Sequence, residues 1–185
     1  MRSMKVIRTD QELIQRFLDV LGGASTILLN NKLAGPGFFI IAHSFIQGYI
    51  EDDFFKKEEL LIQALEDNGF PVDGGPIGAM REEQAKSRDA AEHMVNASRG
   101  WKGGDEEARG EVGWAASEFT STLRGHLDKL KTRIFPLLEQ NMTPEDEHKL
   151  SEGLNAIIFA NSAKDDADKY VKLVASLEEE LSDWK

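Results

Sequence analysis

The stretch NGFPVDGGP, residues 68–76, decides the fold by where it interrupts the chain. Gly69 suits the residue just past a helix end, and Pro76 suits the first turn of the next helix. On its N-terminal side a helix is predicted from about Phe38 to Asn68. Ile40, His43, Gln47, Ile50, Phe54, Glu58, Leu61 and Leu65 follow one another there at three- and four-residue steps, giving one stripe with polar residues set among apolar ones. On its C-terminal side a helix is predicted from Pro76 to about Arg99–Gly100.

Working outward, AGPG at Ala34–Gly37 separates the second helix from a first, expected from Thr9 to about Lys32. Thr9 and Glu12 have capping-box spacing, and Gly22–Gly23 inside that helix are costly unless something needs the room. GWKGGD leads to a fourth helix, about Asp105 to Gln140, with Pro136 near its end. Thr143-Pro144-Glu145-Asp146 then carries an N-cap, a proline at the first helical position and acids in the first turn. A last helical stretch runs to about Asp183, with an interruption expected around Asn161–Ala167. No strand alternation, internal repeat or low-complexity run is present. The expected fold is all-α: an up-down four-helix bundle plus an additional C-terminal helix, one domain over residues 1–185.

Composition narrows the function classes. Hydrophobic residues make up 41% and charged residues 30% of the 185, a globular balance. With no cysteine, disulfides, thiolate metal sites and cysteine nucleophiles are excluded. A formal net charge of −11 disfavours nucleic acid and anionic membranes as partners, leaving an unknown small ligand or a protein partner. No run reaches the ~18 apolar residues of a membrane span, and MRSMKVIRTDQE has no apolar core of a secretory signal behind it, so the expected location is the cytoplasm. No G-x-S-x-G, phosphate loop, H-E-x-x-H or Rossmann glycine pattern occurs, which leaves enzymatic activity uncertain and less expected than binding.

The chain has four histidines, His43, His93, His126 and His148. Bundle metal sites use carboxylates and imidazoles on facing helices. Glu58 lies on the inward stripe, four residues after Phe54; Glu82 and Glu83 lie early in the third helix beside Gln84; His126 lies four residues before Leu130 on the fourth. Such spacing by itself fits a hydrogen-bonded structural histidine as well as a ligand. His93 and His148 are expected to be exposed.

Two segments resemble hemerythrin-like (HHE cation-binding) domains. YIEDDFFKKEELLIQALEDNGFPVDGGPIGAMREEQAKSR, residues 49–88, is similar to that family's H-H-x-K-E-E, G-x-P, G-G-P-I and E-H-E-x-x-R pattern. HLDKLKTRIFPLLEQNMTPEDEHKL, residues 126–150, is similar to its H-I-x-K-E, L-F-P and T-P-E-D-E pattern. The resemblance implies a four-helix bundle around a di-iron site, and also that most ligands of that site are missing. The family's paired histidines fall on Phe54 and Phe55, with the acids kept as Glu58 and Glu59. The histidine of E-H-E falls on Gln84, and the glutamate of H-I-x-K-E on Leu130, while His126 is kept. The first-helix histidine falls at Gly23 or Ala24. The resemblance therefore implies no cofactor at the di-iron position and a degenerate site, since a di-iron centre takes several His and carboxylate donors.

Three readings follow. In the first, Phe54, Phe55 and Leu130 are core, His126 pairs with Glu58 or Gln84, and the domain works by binding, as a metal-free sensing or scaffold module. In the second, small residues at one bundle end (Gly22, Gly23, Ala24, Ser25, Ala90, Ala91, Ala97, Ala115, Ala116), with Phe38, Phe39 and Phe45, leave room for heme or another organic cofactor on His43. In the third, Glu58 and His126 hold a single divalent ion.

Overall fold

The computed structural model describes residues 2–164, 166 and 168–185. It is all-helical among those residues. Helix α1 covers Arg2–Ile27 and ends in a 3₁₀ turn, Leu28–Asn30. A second rod consists of α2 (Pro36–Phe45), a π-helical segment (Ile46–Phe54) and α3 (Phe55–Asp67). Helix α4 covers Gly75–Lys102. A fourth rod consists of α5 (Ala108–Lys129), a shorter π-helical segment (Leu130–Ile134) and α6 (Phe135–Asn141). Helices α7 (Pro144–Ser162) and α8 (Lys169–Trp184) complete the chain. The break between them coincides with the interruption expected around residues 161–167, of which Asp165 and Ala167 lie outside the described residues, as does Met1.

Helix α1 starts well before Thr9, correcting the expected capping box. The Thr9 hydroxyl donates back to the Lys5 carbonyl at 2.9 Å, an ordinary mid-helix bond. The start is fixed from outside the segment: Glu147 of α7 accepts from the Ser3 amide at 3.0 Å and from its hydroxyl at 2.7 Å. A carboxylate there satisfies free first-turn donors and meets the positive end of the helix dipole. At the other end Arg109 of α5 donates to the carbonyls of Leu28 and Asn31 and lies over the Trp101 ring. Between these ends Met4, Ile7, Ile14, Phe17, Leu18, Leu21, Ala24 and Leu28 form one buried helical stripe.

The π-helical segment changes the register of the second rod. Its i→i+5 bonding makes a wider turn, so the buried positions Ala42, Ile46, Ile50, Phe54 and Glu58 step by fours. The stripe drawn at ordinary α-helical spacing is therefore wrong in its first half: Gln47 is exposed, and Ile40 and His43 are only half-buried. In the fourth rod the shorter π segment directly precedes Pro136, where a missing amide interrupts the ladder in any case.

The connection between the second rod and α4 turns on glycine. Gly69, Gly74 and Gly75 have φ of 89, 71 and 56°, values side-chain-bearing residues rarely adopt. Helix α7 begins with a capping box, Thr143 Oγ1 accepting from the Asp146 amide at 3.1 Å and Asp146 Oδ2 from the Thr143 amide at 3.0 Å.

Helix α4 packs along α5 and against α2, α1 packs against α5 and α8, and α7 lies on α3. One cluster of buried apolar side chains draws on every helix. The alanines Ala90, Ala91, Ala97, Ala115 and Ala116 are buried where α4 meets α5, which brings those backbones close.

Candidate functional site

The functional candidates gather at the two π-helical segments. Glu58 stands in the first turn of α3, immediately after the longer one; His126 stands in the last turn of α5, immediately before the shorter one. π-helical turns displace a helix backbone and occur often at functional sites. Glu58, His126 and Gln84 of α4 are all buried, at 0, 1 and 3% exposure.

Nε2 of His126 lies 2.9 and 2.7 Å from the two carboxylate oxygens of Glu58. Gln84 donates its amide to Glu58 Oε2 at 2.9 Å. On the opposite edge of the ring, Nδ1 lies 3.1 Å from Glu83 Oε1. The other oxygen of Glu83 accepts from Lys129. With a carboxylate at each ring nitrogen, a doubly protonated ring that donates to both Glu58 and Glu83 is the assignment that satisfies every contact. The four groups alternate in sign, Glu58⁻, His126⁺, Glu83⁻, Lys129⁺, from the centre of the core to the half-exposed Lys129.

Burial opposes the ring's charge, but the attraction of Glu58 and its hydrogen bonds, aided by Glu83, overcome this and push His126 up to about 9. Burial also works against ionised Glu83. The hydrogen bonds from His126 and Lys129 outweigh it and hold that carboxyl below its ordinary value.

Around this chain the structure is apolar. Phe54, Phe55 and Leu130 are buried, Phe55 meets the His126 ring at a steep angle with centroids 6.0 Å apart, and the Arg88 guanidinium lies over the Phe55 ring. These donors do not fit a dinuclear iron centre. Glu58 and Glu83 flank His126 from opposite edges rather than converging on a point. Phenylalanine and leucine offer no lone pair, and among the described residues no group of three or more His, Asp or Glu forms a candidate metal-ligand set.

The remaining candidates lie elsewhere. His43 sits half-buried on α2, where burial first and then Arg99 of α4 lower its pKa. At the end walled by small residues, Phe38 packs on Trp184 at 4.8 Å and Phe39 lies 6.4 Å from Trp101. A Cβ at Gly23 would meet Leu181 of α8 at 3.1 Å, and Ala24 is fully buried. The missing side chain at Gly23 thus lets α8 pack close to α1. His93 and His148 are exposed, as expected.

A second buried polar cluster escaped the sequence reading. Lys57 is 3% exposed and reaches Asp10 at 2.6 Å and Asp53 at 3.2 Å. The Tyr49 hydroxyl donates to Asp10 at 3.1 Å, and Asn161 of α7 donates to Asp53 at 2.8 Å. The Asp53–Lys57 pair has i,i+4 spacing and is legible in the sequence; the acid from α1 and the amide from α7 are not.

Compared with protein families, curated proteins and solved structures, the chain matches none.

Proposed function

We propose that this chain is a hemerythrin-like up-down four-helix bundle with added C-terminal helices, working in the cytoplasm as a metal-free binding or sensing module. Short connections between the rods Arg2–Ile27, Pro36–Asp67, Gly75–Lys102 and Ala108–Asn141 support the bundle reading. So does the match of the Gly69–Met80 connection and of Glu58, Glu59 and His126 to that family's spacing.

One observation carries the metal-free reading: the strongest inward donors, Glu58 and His126, are closed on each other. Both ring nitrogens of His126 lie within hydrogen-bond distance of a carboxylate, Phe55 packs against the ring, and Phe54 and Leu130 are buried one helical turn from Glu58 and His126. An ion pair held in apolar surroundings keeps its geometry without a cofactor, although it adds little net stability. The acidic surface repels nucleic acid and anionic membranes, so a small ligand or a protein is the partner class.

An absorption spectrum and elemental analysis of freshly purified protein test this, followed by titration with Zn²⁺ and Fe²⁺ and addition of heme. The expected result is a colourless, folded chain that takes up none of them stoichiometrically. Iron at two per chain would restore the di-iron reading. A single tightly held ion lost in His126→Ala would replace the proposal with a mononuclear site. A visible heme band lost in His43→Ala would replace it with a heme protein.

A further inference from the structure

The charge chain that starts at Glu58 ends beside a groove between the first turns of α4 and the C-terminal part of the fourth rod. The groove encloses about 590 Å³, within the ~300–1,000 Å³ of small-molecule sites. Its floor is apolar, formed by buried Met80 and Ile134 and half-buried Leu137. Its charged lining is two cations, Lys129 and Arg133, and one acid, Glu83. Glu83 is already engaged by His126 and Lys129. Among the described residues no carboxylate pairs with Arg133, on a chain whose net charge is −11. An unneutralised guanidinium at the edge of an apolar floor is the complement of one ligand class. A neutral apolar molecule would leave Arg133 unused, and a cationic one would find its only acid taken. The groove of about 480 Å³ between α1 and α5 lacks this character, since Arg8, Arg124 and Lys131 there alternate with Glu12 and Asp128.

We propose that this groove binds a small amphipathic carboxylic acid, with its apolar chain on Met80, Ile134 and Leu137 and its carboxylate on Arg133. The guanidinium presents two parallel donors to a carboxylate, which fixes the head group while the floor takes the chain. The proposal rests on the metal-free binding reading and supplies its ligand class.

Calorimetric titration of the full chain with octanoate, octanol and octylammonium, with and without EDTA, tests it. A single octanoate site is expected, unaffected by EDTA. Octanol and octylammonium should bind at least about tenfold more weakly, and Arg133→Glu should weaken octanoate by about tenfold or more. Arg133 is exposed, so that variant keeps the fold, and Leu137→Trp, which fills the floor, should weaken octanoate as well. Absence of octanoate binding, equal affinity for octanol, or wild-type affinity in Arg133→Glu would each overturn the proposal. Failure of octanoate in a chain that still takes up no Zn²⁺ counts against the groove alone. Stoichiometric Zn²⁺ uptake that depends on His126 counts against the metal-free reading instead.

Discussion

Glu58 turns both carboxylate oxygens toward Nε2 of His126, at 2.9 and 2.7 Å, at a point where neither side chain reaches solvent. Gln84 and Glu83 complete the surroundings, so the buried polar groups of this cluster satisfy one another. That closure has consequences for pH, for substitution and for cofactor uptake.

The first concerns protonation. The ring's ordinary value is 6.5 and the folded value is about 9. Stability from the charged ring is therefore complete below about pH 6.5 and is lost as pH rises through about 9, a total of roughly 3 kcal/mol. Urea unfolding should show stability falling over that window. Nitrogen-15 NMR at pH 7 should find both ring nitrogens protonated; a neutral ring there would contradict the pairing.

Breaking the pair should cost more than removing it. Glu58→Ala or His126→Ala each leaves a buried charge without its partner and should destabilise by about 3–5 kcal/mol. Glu58→Leu combined with His126→Leu should come within about 1–2 kcal/mol of wild type, because packing replaces both charges. A double-mutant cycle in urea measures the coupling, and additive losses would show that the two groups act independently.

Lys57 neutralises two acids from different elements, Asp10 and Asp53. Lys57→Met leaves those acids facing each other and should lower stability by about 3 kcal/mol. Adding Asp10→Asn should recover part of the loss. A Lys57→Met protein as stable as wild type would show that the cluster is not held as described.

Gly48 is required by a neighbour. A Cβ there would stand 2.0 Å from the Tyr170 hydroxyl and 2.7 Å from its ring carbon Cζ. Gly48→Ala should therefore cost about 1–3 kcal/mol by pushing α8 away from the second rod, despite alanine's better helix propensity. Tyr170→Ala in the same chain should abolish that penalty, read as a rise in thermal midpoint of the double variant over what additivity gives. Without that interaction, the clash is not the cause.

Local punctuation made several helix positions legible, although the capping-box spacing at Thr9–Glu12 misplaced the start of α1. Gly69, Gly74, Gly75 and Pro76 announced the turn before α4, and Thr143 to Asp146 announced α7, because capping and positive φ are decided within a few residues. The core positions of Phe54, Phe55 and Leu130 were legible from their apolar character at the positions the family resemblance marks as inward. The facing of His43 was not. It depends on a π-helical segment whose extra residue per turn leaves no signature in hydrophobic spacing.

By itself, the sequence determined an all-helical chain, its break points and the residue types available for chemistry, since these follow from backbone propensity and composition. Beyond the expected pairing of His126 with Glu58, only the tertiary structure decided which distant polar groups meet. Glu147 capping α1, Asp10 reaching Lys57, and Glu83 taking the second nitrogen of His126 join residues 43 to 144 positions apart. A charge becomes a partner only when packing removes the water that would otherwise solvate it, and packing is set by the whole chain rather than by any segment of it.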